Sequence, residues 1–254
     1  MELNKIYNED CLIGMQNIPD KSVDLILCDL PYGTTKCSWD IIIPFEPLWE
    51  QYRRIKTDTA AILLFAQTPF DKILGASNLD WLKYEWIWEK TQATGHYNAK
   101  KMPMKAHENI LVFYDKLPIY NPQKTKGHKP LNSYTKYIET QNNTEIYGKA
   151  NRQISGGGET DRYPRSVLTF PTDKQKNKLD GTLHSTQKPV ALCSYFINTY
   201  TNEGMTVLDN CVGSGTTVVS CIDTNRNYIA FENNTKSYNQ AKNRIINHMK
   251  NKGK

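Results

Sequence analysis

The chain has 254 residues, 39% of them hydrophobic and 11% aromatic, with a net charge of +6. That length allows one sizeable core, or one core with a smaller insert. No run of about 18 apolar residues occurs, so no membrane-spanning helix is expected. The polar start Met1-Glu2-Leu3-Asn4-Lys5 does not read as a secretory leader.

In residues 1–114, strand and helix patterns alternate. Apolar runs at 23–28, 60–65, 84–88 and 109–114 are nearly continuous, as expected of parallel strands covered on both faces. A helical pattern fills 45–56. Strands alternating with helices predict an α/β layered fold. Residues 115–182 differ, being rich in Lys, Asn, Tyr, Thr and Gly and lacking long apolar runs. They read as an insert of loops and short elements. From 115 to 180 there are 12 Lys and Arg against 7 Asp and Glu. This local excess suits nucleic-acid phosphates, although a solvated lysine-rich loop has the same composition. Residues 183–254 return to the α/β pattern. A helix is expected at 191–201, a strand at 206–208, a turn at 209–217, a helix starting at 218–223, a strand at 228–231 and a helix at 237–249. Residues 250–254 are expected to fray.

The six cysteines are Cys11, Cys28, Cys37, Cys193, Cys211 and Cys221, and no two form a C-x-x-C pair. Neither a metal site nor a disulfide framework is expected. They read as small buried side chains in a reducing, cytoplasmic setting.

Two segments carry chemistry. The first is Asp209-Asn210-Cys211-Val212-Gly213-Ser214-Gly215-Thr216-Thr217, between a strand and a helix. Gly213 and Gly215 let a nucleotide-like ligand approach the backbone near a helix N-terminus. Glu232 ends the next strand, where a carboxylate accepts from ribose hydroxyls. A plain turn and a surface glutamate would look the same. Val218 stands where a third fingerprint glycine would fall, which disfavours a nicotinamide cofactor. The second segment is Asp29-Leu30-Pro31-Tyr32, after a buried strand. A carboxylate and the Leu30 carbonyl can each accept one hydrogen of an amino group. Pro31 biases Leu30 toward an extended backbone, and Tyr32 can stack on a planar base.

In this order the segments resemble the amino-group DNA methyltransferases with circularly permuted motifs, the β class. Asp29-Leu30-Pro31-Tyr32 is similar to the family's catalytic motif, and residues 207–217 to its cofactor loop. His184-Ser185-Thr186-Gln187-Lys188-Pro189 resembles the segment preceding that loop. Asn8-Glu9-Asp10-Cys11-Leu12 resembles the N-terminal acid segment, and His107-Glu108-Asn109-Ile110-Leu111 a recurring strand start. Two departures stand out: Leu30 replaces the usual proline, and Asn210-Cys211 replaces Pro-Phe.

The resemblance implies a Rossmann-like methyltransferase fold. This is a mostly parallel sheet with helices on both faces, made of a catalytic half (1–114), an inserted target-recognition region (115–182) and a cofactor half (183–254). It implies S-adenosyl-L-methionine as cofactor, held by Asp10, Cys11, Asp29, Lys188, Asp209, Asn210, Cys211, Gly213, Ser214, Gly215, Thr216, Glu232 and Asn233. Lys188 is expected to pair with the cofactor carboxylate. Asp29, Leu30, Pro31 and Tyr32 would be catalytic, acting on a base extruded from double-stranded DNA. Lys124, Lys126, Lys129, Arg152, Arg162 and Arg165 are the candidate DNA contacts. A cognate restriction endonuclease is an optional partner, and the family includes monomers and homodimers.

The same resemblance, with Asp29 at the first motif position, implies N6 of adenine as the target. The rival readings are an N4-cytosine enzyme of the same fold and a non-catalytic DNA-binding subunit, with a nicotinamide oxidoreductase as the outsider.

Overall fold

A computed structural model describes residues 1–35, 40–131, 133–137, 153–173 and 187–252. Cys37, Trp39, Arg152 and His184-Ser185-Thr186 lie outside the described residues. The chain divides into one unit of Met1–Asn121 with Ser166–Lys254, and a second of Pro122–Arg165.

The elements in chain order are β1 (Lys5–Tyr7), α1 (Cys11–Gly14), β2 (Val23–Cys28), α2 (Phe45–Ile55), β3 (Lys56–Ala66), α3 (Phe70–Ala76), β4 (Leu82–Thr94) and β5 (Lys105–Phe113). Then follow β6 (Tyr134–Tyr137), β7 (Gln153–Gly156), β8 (Val167–Phe170), α4 (Val190–Tyr200), β9 (Thr206–Asp209), α5 (Thr216–Asp223), β10 (Asn227–Phe231) and α6 (Thr235–Lys252). Eight strands form one sheet in the order β1-β10-β9-β2-β3-β5-β4-β8.

The apolar runs arise because helices cover both faces of this sheet. Along β2, Leu25 and Leu27 point into one layer and Ile26 and Cys28 into the other. Along β3, Ala61, Leu63 and Phe65 alternate in the same way with Ile62 and Leu64. The first layer is closed by Leu192, Phe196 and Tyr200 of α4 and by Val218 and Val219 of α5. The second is closed by Leu48, Trp49, Tyr52 and Ile55 of α2 and by Phe70 and Leu74 of α3. In α2 these four residues recur at helical spacing. Pro47 occupies its first turn, and Arg53 and Arg54 its last, where the helix dipole favours cations.

Three expectations are corrected. Residues 109–114 were expected as a parallel strand, but β5 runs antiparallel to both β3 and β4. The link from β4 to β5 spans residues 95–104. That is too short for the helical crossover a parallel neighbour needs. Helix α5 begins at Thr216, inside the expected turn, because Gly215 takes a left-handed conformation just before it. Of the tail expected to fray, residues 250–252 are helical, and Gly253 and Lys254 lie outside the described residues. The Lys252 ammonium donates to the Ile222 carbonyl at 2.7 Å, and His248 bonds Asp223 at 2.7 Å.

In the second unit, β6 and β7 form an antiparallel pair, and Thr125 bridges Arg162. Strand β8 belongs to the first unit, where it pairs with β4 in parallel. Among the described residues no helix is long and apolar enough to cross a membrane.

Leu63 is completely buried, on a strand paired on both sides. Truncation to Ala should cost about 3 kcal/mol in urea unfolding. A loss below about 1 kcal/mol would contradict its central position.

Candidate active site

Asp29 stands just past the end of β2, where the strand's carboxyl end opens onto the edge of the sheet. The Tyr32 hydroxyl donates to its Oδ1 at 2.6 Å. The Lys188 ammonium donates to its Oδ2 at 2.7 Å. Lys188 also lies 3.2 Å from Glu108 Oε2, and Lys90 lies 2.5 Å from Glu108 Oε1. Lys90, Glu108 and Lys188 are all buried at their side chains. The result is an alternating chain of charges, Asp29–Lys188–Glu108–Lys90, drawn from the ends of β2, β4 and β5 and the segment before α4.

Electrostatics agree with this geometry. Burial alone would lower the Lys188 pKa, but the charges of Asp29 and Glu108 outweigh it and hold it above the ordinary lysine value. For Glu108, burial pulls upward, yet Lys188 and Lys90 together hold the carboxyl below its usual range. The Tyr32 phenol is pushed well up by burial and then by the Asp29 charge, so it remains a donor. Its ring stacks on Phe70 with centroids 5.0 Å apart. A planar guest is therefore left only the opposite face. Leu30 is buried, which anchors the backbone between Asp29 and Pro31. Beyond Tyr32, the Asp40 carboxylate accepts from the N–H groups of Gly33 and Thr34 at 2.8 and 2.9 Å, and from that of Thr35 at 2.6 Å. This fastens the loop that follows the tetrapeptide.

The glycine loop lies at the carboxyl end of β9, and β9 pairs directly with β2. Gly213 has φ +50 and Gly215 φ +83. A side chain at Gly215 would be strained by this backbone conformation and would touch Ala241 and Ile245 of α6 at 3.4 Å. The Glu232 carboxylate ends β10 and accepts from Gly213 N at 2.9 Å and Asn234 N at 2.8 Å. Arg244 of α6 donates to the Ser214 carbonyl at 2.9 Å and to Thr216 Oγ1 at 3.0 Å. Asp10 caps α1 by accepting from Leu12 N at 2.8 Å. Because Glu232 N bonds the Tyr7 carbonyl and Asn8 reaches the Glu232 carbonyl, the Asp10 and Glu232 loops are neighbours.

Asp209 and Asn210 point inward. Asp209 is buried and accepts from Cys211 N at 3.1 Å. Burial raises its pKa to about 6. Asn210 accepts from the Tyr52 hydroxyl at 2.5 Å, and its amide lies 3.7 Å from Cys11 Sγ and 3.6 Å from Cys211 Sγ. Cys11, Asn210 and Cys211 thus form one contiguous patch under the loop. Asn233 is exposed, and its carbonyl faces the Asn8 amide at 3.4 Å. The five described cysteines carry free thiols.

The structure therefore brings together Asp29, Tyr32 and Lys188 on one side, and Asp10, Gly213, Ser214, Thr216 and Glu232 on the other. Lys188 pairs with Asp29 and Glu108. Glu108, Lys90, Phe70, Asp40 and Arg244 complete the site, and the sequence does not mark them as its members. Glu108 alone has a signal, its acid at a recurring strand start.

Within the second unit, Lys124 pairs with Asp161 at 2.9 Å and lies over the Tyr163 ring. Arg162 donates to the carbonyls of Glu159, Asp161 and Lys129, which makes it a brace of that unit. Lys126, Lys129 and Arg165 are exposed.

A family model described as DNA methylase, of the N6/N4 group, matches residues 23–243. The chain is 27% identical over 261 residues to the type II methyltransferase M1.MboII of Moraxella bovis, covering 95% of this chain and 96% of that protein. Its fold is similar to that of M1.HpyAVI, solved as a complex with SAM. The TM-score is 0.60 and the identity 21%, over 94% of this chain and 98% of that one. It is also similar to the PvuII DNA methyltransferase, described as cytosine-N4-specific, with TM-score 0.62 and 13% identity over 91% and 82% of the two chains. The family match extends over most of the sequence and takes in both the tetrapeptide and the glycine loop, so the chain belongs to the N6/N4 DNA methylase family.

Proposed function

We propose that the protein transfers a methyl group from S-adenosylmethionine to the N6 amino group of adenine at a specific site in double-stranded DNA. The observation that carries this reading is the Asp29 carboxylate, gripped by Tyr32 and Lys188 beside the glycine loop. Asp at this position, by family resemblance, favours adenine. An N4-cytosine target is the second reading, supported by the fold shared with a neighbour described as cytosine-N4-specific.

The loop fits the cofactor. Around Gly213, a side chain would meet nothing nearer than the Cys211 carbonyl at 3.9 Å, so a ligand has room against the backbone. Glu232 supplies acceptors for ribose hydroxyls, and Asp10 lies on the adjoining loop. Ser214 and Asn233 shape the rim, while Cys11, Asp209, Asn210, Cys211, Gly215 and Thr216 support it from below. When bound, S-adenosylmethionine supplies a methyl group activated on a positively charged sulfonium.

The chain's own residues do the rest. Tyr32 offers one ring face to a base extruded from the duplex, at a cost of a few kcal/mol that stacking offsets. Asp29 and the Leu30 carbonyl each accept a hydrogen bond from one amino hydrogen, which turns the nitrogen lone pair away from the ring; as the nitrogen takes the methyl group, it releases one of these protons to solvent by way of the Asp29 carboxylate. Pro31 keeps that carbonyl extended. Because Lys188 already fixes Asp29, little reorganisation accompanies the reaction. Lys188 is thus a positioning residue. No thiol attack is invoked, and burial pushes the Cys28 thiol up to about 12.

Residues 115–182 serve as target-recognition region, with Lys126, Lys129 and Arg165 outward and Arg152 a further contact. We place the protein in the cytoplasm, in a restriction–modification setting in line with its type II relative, with a cognate restriction endonuclease as an optional partner.

Labelled S-adenosylmethionine and unmethylated genomic DNA, followed by nucleoside mass analysis, test the reading. N6-methyladenine is expected, and label on cytosine N4 would move the specificity. Asp29→Ala should lower turnover by at least about 100-fold while cofactor affinity stays within a few-fold. Equal loss of both would contradict the role of Asp29.

The charge chain also has a pH signature. Glu108, with its lowered pKa, contributes stability above the ordinary glutamate value, and this is lost as pH falls through the lowered one. Lys188, with its raised pKa, contributes below the ordinary lysine value and loses this only at strongly alkaline pH. Lys188→Met should therefore cost roughly 3 kcal/mol at neutral pH, shrinking as the pH drops below about 4. Urea unfolding of both chains across pH 3 to 8 measures this, and a difference independent of pH would contradict it.

A further inference from the structure

Between Glu89 and Glu108 the chain contains no acidic residue, while it contains four lysines and two histidines. Lys90 is buried against Glu108. Lys100, Lys101 and Lys105 are exposed, at or beside the turn that joins β4 to β5. A hairpin of this kind closes with about two to five residues, whereas residues 95–104 form a longer, protruding tip. Gly95 opens it at φ +94, and a short 3-10 turn, His96–Asn98, follows. Tyr97 is fully exposed and Met102 more than half exposed. Large apolar groups held in water among unopposed cations, with no acid to neutralise them, match the make-up of a nucleic-acid contact.

Strand β5 runs from Lys105 to Glu108 in three residues, about 10 Å. Glu108 touches Lys188, which touches Asp29. Lys105 also donates to Gln67, just past the end of β3, at 3.2 Å. The tip therefore projects from the same sheet edge as the candidate catalytic carboxylate. A duplex that delivers a base to Asp29 must lie across that edge, with its phosphates close to the pocket mouth.

We propose that the β4–β5 tip is a DNA contact separate from residues 115–182, in which Lys100, Lys101 and Lys105 grip phosphates flanking the extruded base. The proposal rests on the reading that duplex DNA is the substrate. Lysine serves as a point charge for phosphate and carries no sequence preference. The tip thus supplies affinity and register, and leaves base reading to other parts of the chain. Tyr97 adds an aromatic face for a sugar or an unstacked base.

The test uses the full chain and its Lys100→Ala/Lys101→Ala/Lys105→Ala variant. Binding to duplex fragments of unmethylated genomic DNA is measured over a series of salt concentrations, and KM for the same DNA in methyl transfer. Removing one lysine–phosphate pair flattens the log–log salt dependence by about 0.9, so the variant should be shallower by about 2 to 3. Its KM for DNA should rise about tenfold or more. Unchanged S-adenosylmethionine affinity and melting midpoint would locate the effect in DNA binding. An unaltered salt slope and KM would overturn the assignment. Failure of the unsubstituted chain to bind DNA at all would overturn the reading of its substrate, and this assignment with it.

Discussion

A buried ammonium flanked by two carboxylates is the interaction on which the rest of the site depends. Removing ions from water costs several kcal/mol each, and that cost is offset only when every charge keeps its partner. Lys188 stands between Asp29 and Glu108, and Lys90 satisfies the far side of Glu108. The ends of β2, β4 and β5 and the segment before α4 are therefore bound to one another. Asp29 is held from two directions, by Lys188 on Oδ2 and Tyr32 on Oδ1. A carboxylate oriented in advance loses little on meeting a substrate amino group.

The sheet order makes this meeting possible. From β2 the chain moves outward through β3, and from β9 it moves the other way through β10. The reversal falls between β2 and β9, which are paired. Open α/β sheets bind ligands at such a crevice, outside the carboxyl ends of the strands. Here one side of the crevice carries Asp29 and the other the Gly213–Ser214–Gly215 turn. Arg244 and Glu232 brace that turn from α6 and β10. The tetrapeptide and the glycine turn, distant along the chain, are thus adjacent in space.

Much of this was legible in the residues, for identifiable reasons. The tetrapeptide and the glycine turn are local devices, because a left-handed backbone needs Gly213 and Gly215 wherever the fold places them. Strands β2, β3 and β10 were visible as apolar runs. The direction of β5 was not, since a run covered on both faces loses the alternation that would orient it, and the ten-residue link to β4 decides it instead. Long-range partners were equally silent. Nothing near Glu108 announces Lys188, nothing near Asn210 announces Tyr52, and Arg244 sits on an ordinary polar helix. Lys124 and Arg162 look like phosphate ligands in composition, yet they are turned to Asp161 and to backbone carbonyls.

A crystal structure of the chain with a non-reactive S-adenosylmethionine analogue and duplex DNA containing its target site would show directly what Asp29 holds. The expected result is an extruded adenine with its amino nitrogen within hydrogen-bond distance of Asp29 Oδ1 and the Leu30 carbonyl. Lys188 should still be on Asp29 Oδ2, and the Tyr32 ring against the base. An amino group bound elsewhere, or Lys188 released from Asp29 to the cofactor carboxylate, would contradict it.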